Sequence, residues 1–370
     1  MNPLKICILT TSDLFYDQRM LRIIQSLIDA NFTVICYSLN KSNKQVKINN
    51  LKNSQISTLF KSSWLFYAEY NFKLLVNLLF QKVDIIYSVD ADTLLAGSIA
   101  KKLKFSKLIY DAHEFFEESP EIINKLFIKK VWSKITQFGV NSADLCLTVG
   151  SFLAQILSNK FGKKFHTIRN ISSITFNDTK TLEDQAKVIW YQGVLNIGRG
   201  LEQMIECMID LKEYIFILAG DGDISDKLKL QVNQAQLQER VIFLGKLSPQ
   251  ELQKQNQKAR IGINLLSSNS KNYYYSLANR TFDFIHSGIP AIHMNFPEYS
   301  AIFQEFEIGV MIENLEKTEI IAAIEKLNDA KFYTHCKAQC LLASHKYTWN
   351  IESSKLMKLI NMLFKEKHNL

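Results

Sequence analysis

The hydrophobic positions of this chain alternate between short apolar runs and longer stretches with helical spacing. The first run, residues 6–9, is followed by a polar loop and by apolar side chains that recur every three or four positions from Met20 to Ile28. A second apolar run covers residues 32–37. Short runs of this kind predict buried strands, and the spacing between them predicts a helix. The chain therefore opens as a β-α-β unit.

The same alternation continues along most of the chain. We predict further strands at residues 83–87, 107–110, 145–148, 165–168, 188–191, 214–218, 241–244, 261–265 and 291–293. We predict helices between them at residues 93–103, 122–138, 151–158 and 225–236, and later at 317–327 and 350–364. Strands that alternate with helices indicate a parallel sheet covered on both faces. The predicted fold class is α/β, with two doubly wound Rossmann-like domains.

A polar stretch without periodicity, residues 171–186, predicts the linker between the two domains. A length of 370 residues also favours two domains. We therefore assign residues 1–170 to the first domain, 187–348 to the second, and 349–370 to a helix that can cross back to the first. Because ligands of such sheets bind at the carboxyl ends of the strands, we expect the two domains to face each other across a cleft.

Composition indicates a globular protein, since 47% of the residues are hydrophobic and no long polar tract occurs. The first apolar run is too short for a signal peptide, and no run reaches the roughly 18 residues of a spanning helix, so we expect a cytoplasmic protein. The six cysteines lie mostly in strand-like runs, which is typical of buried reduced thiols. His335, Cys336 and Cys340 lack a fourth ligand, so no metal site is assigned there.

The net charge of +8 belongs to the first half, where residues 1–170 contain 22 Lys and Arg against 13 Asp and Glu. This excess favours an anionic partner, namely a membrane surface, an acceptor or a nucleic acid, although a merely solvated basic surface is the alternative. Two segments, 64–76 and 122–138, combine apolar, aromatic and basic residues. The second places five apolar residues on one side, with four lysines around them: Ile123, Phe127, Val131, Ile135 and Phe138, and Lys125, Lys129, Lys130 and Lys134.

Such amphipathic basic helices are typical of proteins that lie on anionic membranes. The alternative is that their apolar sides simply cover the sheet of the first domain.

One stretch, residues 273–290, combines a polar turn, a short helical pattern and a closing Gly288-Ile289-Pro290. The turn ends in Asn279-Arg280, so a fixed cation stands beside the start of the predicted helix. Backbone amides, the positive end of the helix dipole and an arginine together favour an anion. This stretch therefore predicts an anion-binding site.

Glycine turns follow two strands of the second domain. Gly193 follows the first, with Gly198-Arg199-Gly200 at the next helix start, and Gly220 and Gly222 follow the second. Glycine beside a helix start lets a phosphate approach the amides, and Arg199 can add a bidentate contact. Plain surface turns or tight connections between elements are the alternatives for both.

In sequence order, these motifs resemble the landmarks of family-4 glycosyltransferases of the GT-B fold. They are Tyr-Asp-Ala-His-Glu at 110–114, Tyr-Gln-Gly at 191–193, Leu-Ala-Gly-Asp-Gly at 218–222, Val-Ile-Phe-Leu-Gly at 241–245 and the segment 276–290. The start of the first helix, Asp17-Gln18-Arg19, is similar to that of the branch that builds bacterial surface polysaccharides. The resemblance covers about residues 5–312.

The resemblance implies a retaining, metal-independent transferase without a cofactor, which moves a sugar from a nucleoside-diphosphate donor on the second domain to an acceptor on the first. Asp283 matches an acid that binds the ribose. The partner acid of the motif falls on Tyr275, and the phosphate-binding pair falls on Val194 and Arg199, so we expect Arg280 to supply the missing charge. The donor-binding residues implied are Gly193, Arg199, Gly200, Gly220, Gly222, Gly245, Lys246, Leu247, Tyr275, Ser276, Leu277, Ala278, Asn279, Arg280 and Asp283.

The acceptor side implied by the resemblance comprises Asp17, Arg19, Asp90, Asp92, His113 and Glu114. For catalysis we predict that Arg199 and Arg280 stabilise the leaving diphosphate and that His113 contacts the transferring sugar. The alternative for His113 is a buried histidine satisfied by Glu114 or a backbone carbonyl. Asp90 and Asp92 precede a predicted helix and are expected to cap it or to face the acceptor rather than bind a metal.

The function implied is the synthesis of a bacterial surface glycan such as lipopolysaccharide or capsule, with a glycan or lipid-linked acceptor and no nucleic acid partner. The enzyme would act in the cytoplasm or on the cytoplasmic face of the inner membrane. Variants Arg280→Ala and Asp283→Ala are predicted to abolish transfer without unfolding the protein. Two alternatives stay open: a nucleotide-sugar 2-epimerase of the same fold, whose extra acid and base carboxylates we do not find, and a non-catalytic nucleotide-sugar-binding protein.

Overall fold

A computed structural model describes residues 3–40, 44–119, 122–123, 125–171 and 187–365. The chain divides into two compact units, one formed by residues 1–170 with 350–370 and the other by residues 171–349. All of the predicted linker except Ile171 lies outside the described residues. The final helix belongs to the first unit, where buried Glu352 accepts a hydrogen bond from the amide of Arg169 at 3.0 Å.

The first unit is built on a seven-stranded parallel sheet with the strand order β3-β2-β1-β4-β5-β6-β7. Its strands are β1 (Lys5–Leu9), β2 (Thr33–Leu39), β3 (Leu51–Ile56), β4 (Ile85–Val89), β5 (Lys107–Ala112), β6 (Leu145–Thr148) and β7 (Phe165–Thr167). Its helices in chain order are α1 (Gln18–Asp29), α2 (Ser63–Leu79), α3 (Asp90–Lys104), α4 (Leu126–Ser142) and α5 (Ser151–Phe161).

The second unit repeats this architecture with a six-stranded parallel sheet of order β10-β9-β8-β11-β12-β13. Its strands are β8 (Val188–Gln192), β9 (Ile215–Ala219), β10 (Val241–Gly245), β11 (Ile261–Asn264), β12 (Ala291–Met294) and β13 (Gly309–Ile312). Its helices are α6 (Leu201–Cys207), α7 (Ser225–Gln234), α8 (Pro249–Asn256), α9 (Lys271–Tyr274), α10 (Asn279–Ser287), α11 (Pro297–Phe303), α12 (Lys317–Lys326) and α13 (Ala330–Lys346). The last helix of the described residues is α14 (Trp349–Lys365).

The predicted α/β class with two doubly wound sheets is confirmed, and the six cysteines are buried free thiols as predicted. Central strands such as β4 are buried at every position, which explains why they read as continuous apolar runs. Strand β3 escaped prediction because its sequence, Leu-Lys-Asn-Ser-Gln-Ile, is mostly polar. It lies at the edge of the sheet, where polar side chains stay partly exposed.

The strand order fixes where polar side chains can gather. In the first sheet β1 pairs with β4, and in the second β8 pairs with β11, so the chain winds outward in both directions from these pairs. The carboxyl ends of such central strands form a crevice in which doubly wound proteins bind ligands. Side chains at or after the ends of β1, β4 and β5, or of β8 and β11, are therefore the candidates for ligand contacts.

Candidate functional site

A buried ion pair lies at the carboxyl end of β5 in the first unit. The Nη2 atom of Arg19 lies 2.9 Å from Oδ1 of Asp111, its Nε lies 3.2 Å from Oδ2, and its Nη1 donates to the carbonyl of Ile168 at 2.9 Å. Both side chains are almost completely buried. Burial raises the pKa of Asp111, but the charges of Arg19 and His113 outweigh it and hold this pKa below its ordinary value. Arg19 thus uses its donors within the protein.

His113 lies between two carboxylates at the same edge of the sheet. Its Nε2 is 3.2 Å from Oδ2 of Asp111, its Nδ1 is 3.5 Å from Oδ2 of Asp90, and its amide donates to Oδ1 of Asp90 at 2.8 Å. The two aspartates are thus partners of the ring, whereas Glu114, the partner considered in the alternative interpretation, is exposed. Burial lowers the pKa of His113, but Asp90 and Asp111 raise it more strongly, to about 9. The imidazole is therefore charged at neutral pH and suits stabilising negative charge rather than accepting a proton.

The expectation that Asp90 or Asp92 caps helix α3 is wrong. The residue at the cap position is Val89, and the carboxylate of Asp90 instead accepts from the amide of His113. Asp90 has a φ of 55°, a left-handed conformation that costs about 1–3 kcal/mol in a residue with a side chain. Such strain occurs often at ligand sites, because the surrounding contacts must hold it in place.

Asp92 is a buried acid that is only half satisfied. Its Oδ2 accepts from the hydroxyl of Thr11, whereas its Oδ1 has no hydrogen-bond partner among the described residues. Burial, and then the charge of Asp90, raise the pKa of Asp92 to about 7. Within the described residues no group of three metal-ligand side chains is close enough to hold a metal ion.

We predict that Asp92→Asn changes how stability depends on pH. Because the folded pKa is about 7 and the unfolded value about 3.9, folded Asp92 binds more protons between these values, and its contribution to stability falls as pH rises through this window. Asparagine removes this loss. We expect the variant to match the stability of wild type at pH 4 and to exceed it by up to about 4 kcal/mol at pH 8, because each of the roughly three pKa units corresponds to about 1.4 kcal/mol. Thermal unfolding at both pH values measures the difference. Equal gains at both pH values would contradict the assignment.

Asp17, another predicted residue of the first unit, has a local structural role. Asp17 caps helix α1 by accepting from the amide of Met20 at 3.0 Å, and it also accepts from the hydroxyl of Ser12. The structure therefore brings Asp90, Asp92 and His113 together at one edge, with Arg19 behind them. Asp111, which links Arg19 to His113, was not among the predicted residues. Its position at the end of a buried strand is the signal that could have identified it.

Arg280 occupies the corresponding edge of the second unit, at the second position of helix α10. It is 4% exposed, its Nε donates to Oδ1 of Asn264 at 2.8 Å, and its Nη1 donates to the carbonyl of Gln192 at 2.9 Å. The guanidinium lies over the ring of Tyr191, 4.6 Å from its centroid. The Nη2 atom is buried without a hydrogen-bond partner in the part of the chain that the structure describes. A buried cation with an unused donor favours an anionic ligand.

Arg199, the other predicted cation, meets the same tyrosine. Its side chain interacts with the hydroxyls of Tyr191 and Tyr273, and its guanidinium lies 5.5 Å from the ring centroid of Tyr273. Val194, where the family pattern has a phosphate-binding residue, is 48% exposed and apolar. Tyr191 thus brings the two arginines to one place, although they are 81 positions apart in the sequence.

Asp283 lies one turn after Arg280 and is tied to the same strand end. It accepts a hydrogen bond from Nε2 of Gln192, whose Oε1 accepts from Nε1 of Trp190 at 3.0 Å. Gln192 therefore holds Arg280 through its backbone and Asp283 through its side chain. Neither Gln192 nor Asn264 was predicted, although both are the last residues of their strands.

Two predicted glycines are required by the packing of the loops themselves. Gly193 has a φ of 139°, and a Cβ atom there would lie 2.8 Å from Nη1 of Arg280. Gly220 has a φ of 149°, and a Cβ atom there would lie 1.8 Å from the carbonyl oxygen of Gly193. A side chain at either position would displace the loop that holds Arg280. The predicted approach of a phosphate to these loops stays a prediction.

Fewer amides are available at the start of α10 than the sequence suggested. The amide of Ala278 donates to the hydroxyl of Tyr299 at 3.1 Å, and the amide of Thr281 donates to the carbonyl of Ala278 at 3.0 Å. Tyr275, at the position of the expected acid, is half-buried with its ring against that of Tyr274. The predicted anion binding of this stretch would therefore depend mainly on the guanidinium.

The remaining predicted donor residues vary in exposure. Lys246 is exposed, with its Nζ 3.8 Å from a carboxylate oxygen of Asp221, and Asn279 is also exposed. Leu277 is buried, and the hydroxyl of Ser276 donates to the carbonyl of Tyr273 at 2.8 Å. The structure therefore groups Gly193, Arg199, Arg280 and Asp283 at one strand end, and the other predicted contacts stay predictions.

Comparison with known proteins identifies the fold. Sucrose-phosphate synthase from Thermosynechococcus elongatus is 12% identical, with a TM-score of 0.82, and the match covers 98% of this chain and 100% of that chain. HepE from Anabaena, in complex with UDP and glucose, is 14% identical with a TM-score of 0.76 over 97% and 100% of the two chains. WaaG, described as a glycosyltransferase involved in lipopolysaccharide biosynthesis, is 10% identical with a TM-score of 0.74 over 96% and 99%.

None of the curated proteins matches the sequence significantly. Identities this low establish the fold alone. The sequence of residues 173–339 matches the family model described as glycosyl transferases group 1. The chain therefore has the GT-B fold that its sequence predicted, and its second unit matches the model of the group 1 glycosyl transferases.

Proposed function

We propose that this protein is a metal-independent, retaining glycosyltransferase that uses a nucleoside-diphosphate sugar as donor. The observation that carries the proposal is the buried guanidinium of Arg280. Its Nη2 has no hydrogen-bond partner among the described residues, and the guanidinium lies beside Asp283 in the unit that matches the transferase family model. A diphosphate would meet the charge of Arg280, and ribose hydroxyls would donate to Asp283. HepE, which shares the fold, binds UDP and glucose.

The chemistry needs a group that stabilises the departing diphosphate. The bond between the anomeric carbon and the diphosphate breaks with its electron pair on the diphosphate oxygen, while an acceptor hydroxyl bonds to that carbon from the same face. The hydroxyl proton passes to the departing oxygen. Fixed cations aimed at this developing charge can lower the barrier by about 3–4 kcal/mol each without a metal. Arg280 and Arg199 are the residues proposed for this role, and charged His113 is proposed to contact the sugar.

For the acceptor we propose a surface glycan or its lipid-linked precursor. The Asp17-Gln18-Arg19 helix start resembles surface-polysaccharide transferases, and the basic first half of the chain would attract an anionic acceptor. The fold is shared with WaaG, which acts in lipopolysaccharide biosynthesis. In the first unit, the partly exposed carboxylate of Asp90 and the orphan oxygen of Asp92 are suited to accept hydrogen bonds from acceptor hydroxyls.

Isothermal calorimetry with UDP, GDP and ADP tests the donor site directly. We expect one of the three nucleotides to bind in the micromolar range and the other two to bind far more weakly. Incubation with the corresponding nucleotide sugars should then release free sugar slowly in the absence of an acceptor. Release of an epimer would favour the epimerase instead, and failure of all three nucleotides to bind would refute the proposed donor site.

We predict that Asp283→Asn weakens binding of the preferred nucleotide by about 10- to 100-fold. The reason is that hydrogen bonds to a carboxylate contribute about 1.5–3 kcal/mol, and the amide accepts them less strongly. Asp283 is partly exposed on a helix, so the variant should fold. Asp226→Asn, at a fully exposed position of α7 in the same unit, is the matched control and should bind like wild type. Equal affinity in both variants would remove Asp283 from the site.

A further inference from the structure

We propose that the outer face of helices α2 and α4 in the first unit docks onto an anionic lipid bilayer. This interaction goes beyond sugar transfer and can be measured without a donor. Among the described residues no helix is long and apolar enough to cross a membrane, so the contact proposed is with the surface of the bilayer. Every exposed large aromatic side chain in the described part of the chain belongs to the first unit.

Helix α2 is apolar on two opposite sides. One side is buried against the unit through Phe66, Tyr70, Leu74 and Leu78. The opposite side is exposed along its length at four-residue spacing through Trp64, Ala68, Phe72 and Val76, and Trp64 and Phe72 are 74% and 67% exposed. A helix that is hydrophobic all round is normally enclosed. The outer stripe, about 25 Å long with Phe80 at its end, therefore lacks its apolar partner.

Helix α4 extends this surface. Its buried residues are Trp132, Thr136, Gly139 and Val140, so the sequence-based alternative in which its apolar side covers the sheet is wrong. On the predicted apolar side Phe127, Val131 and Phe138 are instead 79%, 40% and 37% exposed. The two helices approach each other where the rings of Tyr67 and Trp132 lie 4.9 Å apart. Both helices also pack against α3, and we treat their exposed apolar positions as parts of one proposed docking face.

A hollow of about 520 Å³ opens at the far end of α2, beside the end of α3. Its lining combines apolar and basic residues, chiefly Leu79, Phe80, Leu103, Phe105, Lys82 and Lys104. Phe80 and Phe105 are 84% and 94% exposed. Aromatic side chains with lysines beside them suit the boundary between lipid headgroups and acyl chains.

The charge around these apolar positions selects an anionic surface. Helix α4 contains three lysines and no acidic residue, and Lys125 precedes it. Lys125, Lys130 and Lys134 are exposed, while Lys102 at the end of α3 lies 4.8 Å over the ring of Phe138. The acidic residue of α2, Glu69, is paired with Lys73 at 2.6 Å. An anionic bilayer would bury the exposed apolar side chains of α2 and α4 and would attract the lysines beside them.

Co-sedimentation with lipid vesicles tests this surface. We expect the full-length protein to pellet with vesicles of phosphatidylcholine and phosphatidylglycerol, to stay in the supernatant with phosphatidylcholine alone, and to be partly released at ~0.5 M salt. Each lysine near the surface is worth about a factor of five, so the triple variant Lys125→Gln/Lys130→Gln/Lys134→Gln should bind on the order of 100-fold more weakly. The control Lys254→Gln/Lys258→Gln/Lys331→Gln, at exposed positions of the second unit, removes the same charge and should bind like wild type.

The apolar contribution has its own pair of variants. Phe72→Gln/Phe127→Gln changes only exposed side chains and should weaken binding about tenfold or more, whereas Leu230→Gln/Leu342→Gln in the second unit should not. No pelleting with anionic vesicles, or unchanged pelleting of both first-unit variants, would overturn the proposal. A dimer in analytical ultracentrifugation that Phe72→Gln/Phe127→Gln dissociates would also overturn it, because the face would then join two copies. Vesicle binding without any nucleotide binding would instead refute the proposed transferase and leave the docking surface standing.

Discussion

Replacing Arg19 with alanine is expected to destabilise the first unit by about 3–5 kcal/mol. The substitution leaves Asp111 buried and charged, without the guanidinium that lies 2.9 Å from it. It also removes the donor to the carbonyl of Ile168. Thermal unfolding at pH 7 should show a large drop in the melting temperature of this unit. Lys227→Ala, which breaks an ion pair between partly exposed side chains in the second unit, should change stability by less than about 0.5 kcal/mol.

A second variant separates the uncompensated charge from lost packing. In Arg19→Ala/Asp111→Asn the buried residue is neutral and needs no counter-ion, so the double variant should regain part of the stability. Full additivity of the two single changes would show that the ion pair is not coupled and would contradict this account. The double variant should also lower the pKa of His113, because Asp111 no longer supports its charge. NMR titration of the imidazole measures that shift.

Replacing Arg280 with alanine should impair both donor binding and stability. If Arg280 meets the diphosphate, its loss removes charge stabilisation of about 3–4 kcal/mol, so transfer should fall by 10²- to 10³-fold. The burial of Arg280 adds a consequence that the sequence did not predict. Buried acceptors on Asn264 and Gln192 lose their donors, so the variant should lose about 2–4 kcal/mol of stability. We still expect the variant to fold, as the sequence predicted, but with reduced stability.

The matched control for Arg280 is Arg260→Ala. Arg260 is 7% exposed, donates to Asn328 at 2.9 Å and precedes β11, at the opposite end of the strand from Asn264. We expect Arg260→Ala to lower the melting temperature similarly but to retain nucleotide binding at temperatures where it is folded. Calorimetry on both variants distinguishes the two effects. Nucleotide binding by folded Arg280→Ala at wild-type affinity would exclude Arg280 from the donor site.

Much of the fold could be predicted because parallel strands covered on both faces read as continuous apolar runs. The strands β1, β4 and β8 were placed within a residue or two for this reason. Prediction from hydrophobic spacing failed for elements that are only partly buried. Strand β3 is mostly polar and lies at the edge of its sheet. The buried side of helix α4 includes Thr136 and Gly139, which are not strongly hydrophobic. Hydrophobic spacing alone therefore did not decide whether the apolar side of α4 covers the sheet or is exposed.

The charged residues of the candidate site could be predicted from the sequence, but the hydrogen bonds that hold them could not. Arg280 stood out because a cation adjoins a helix start, and Asp283 because it matches an acid of the family motif. The structure ties both to Gln192. Neither Gln192 nor Asn264 carries a charge, and the Tyr-Gln-Gly motif did not single out Gln192 as a site residue. Their importance comes from being the last residues of β8 and β11, strands that are adjacent in space but far apart in the chain.

The sequence by itself determined the two doubly wound units and the stretch of the chain that carries Arg280 and Asp283, the charges of the proposed donor site. Hydrophobic spacing and short motifs encode these features locally, within one or two elements. The tertiary structure alone decided that Arg19 is committed to Asp111, that two carboxylates hold His113 charged, and that the apolar stripe of α2 points outward. These features depend on which side chains meet across strands and helices that are distant in sequence. Burial and the neighbouring charges then determine the pKa of each group.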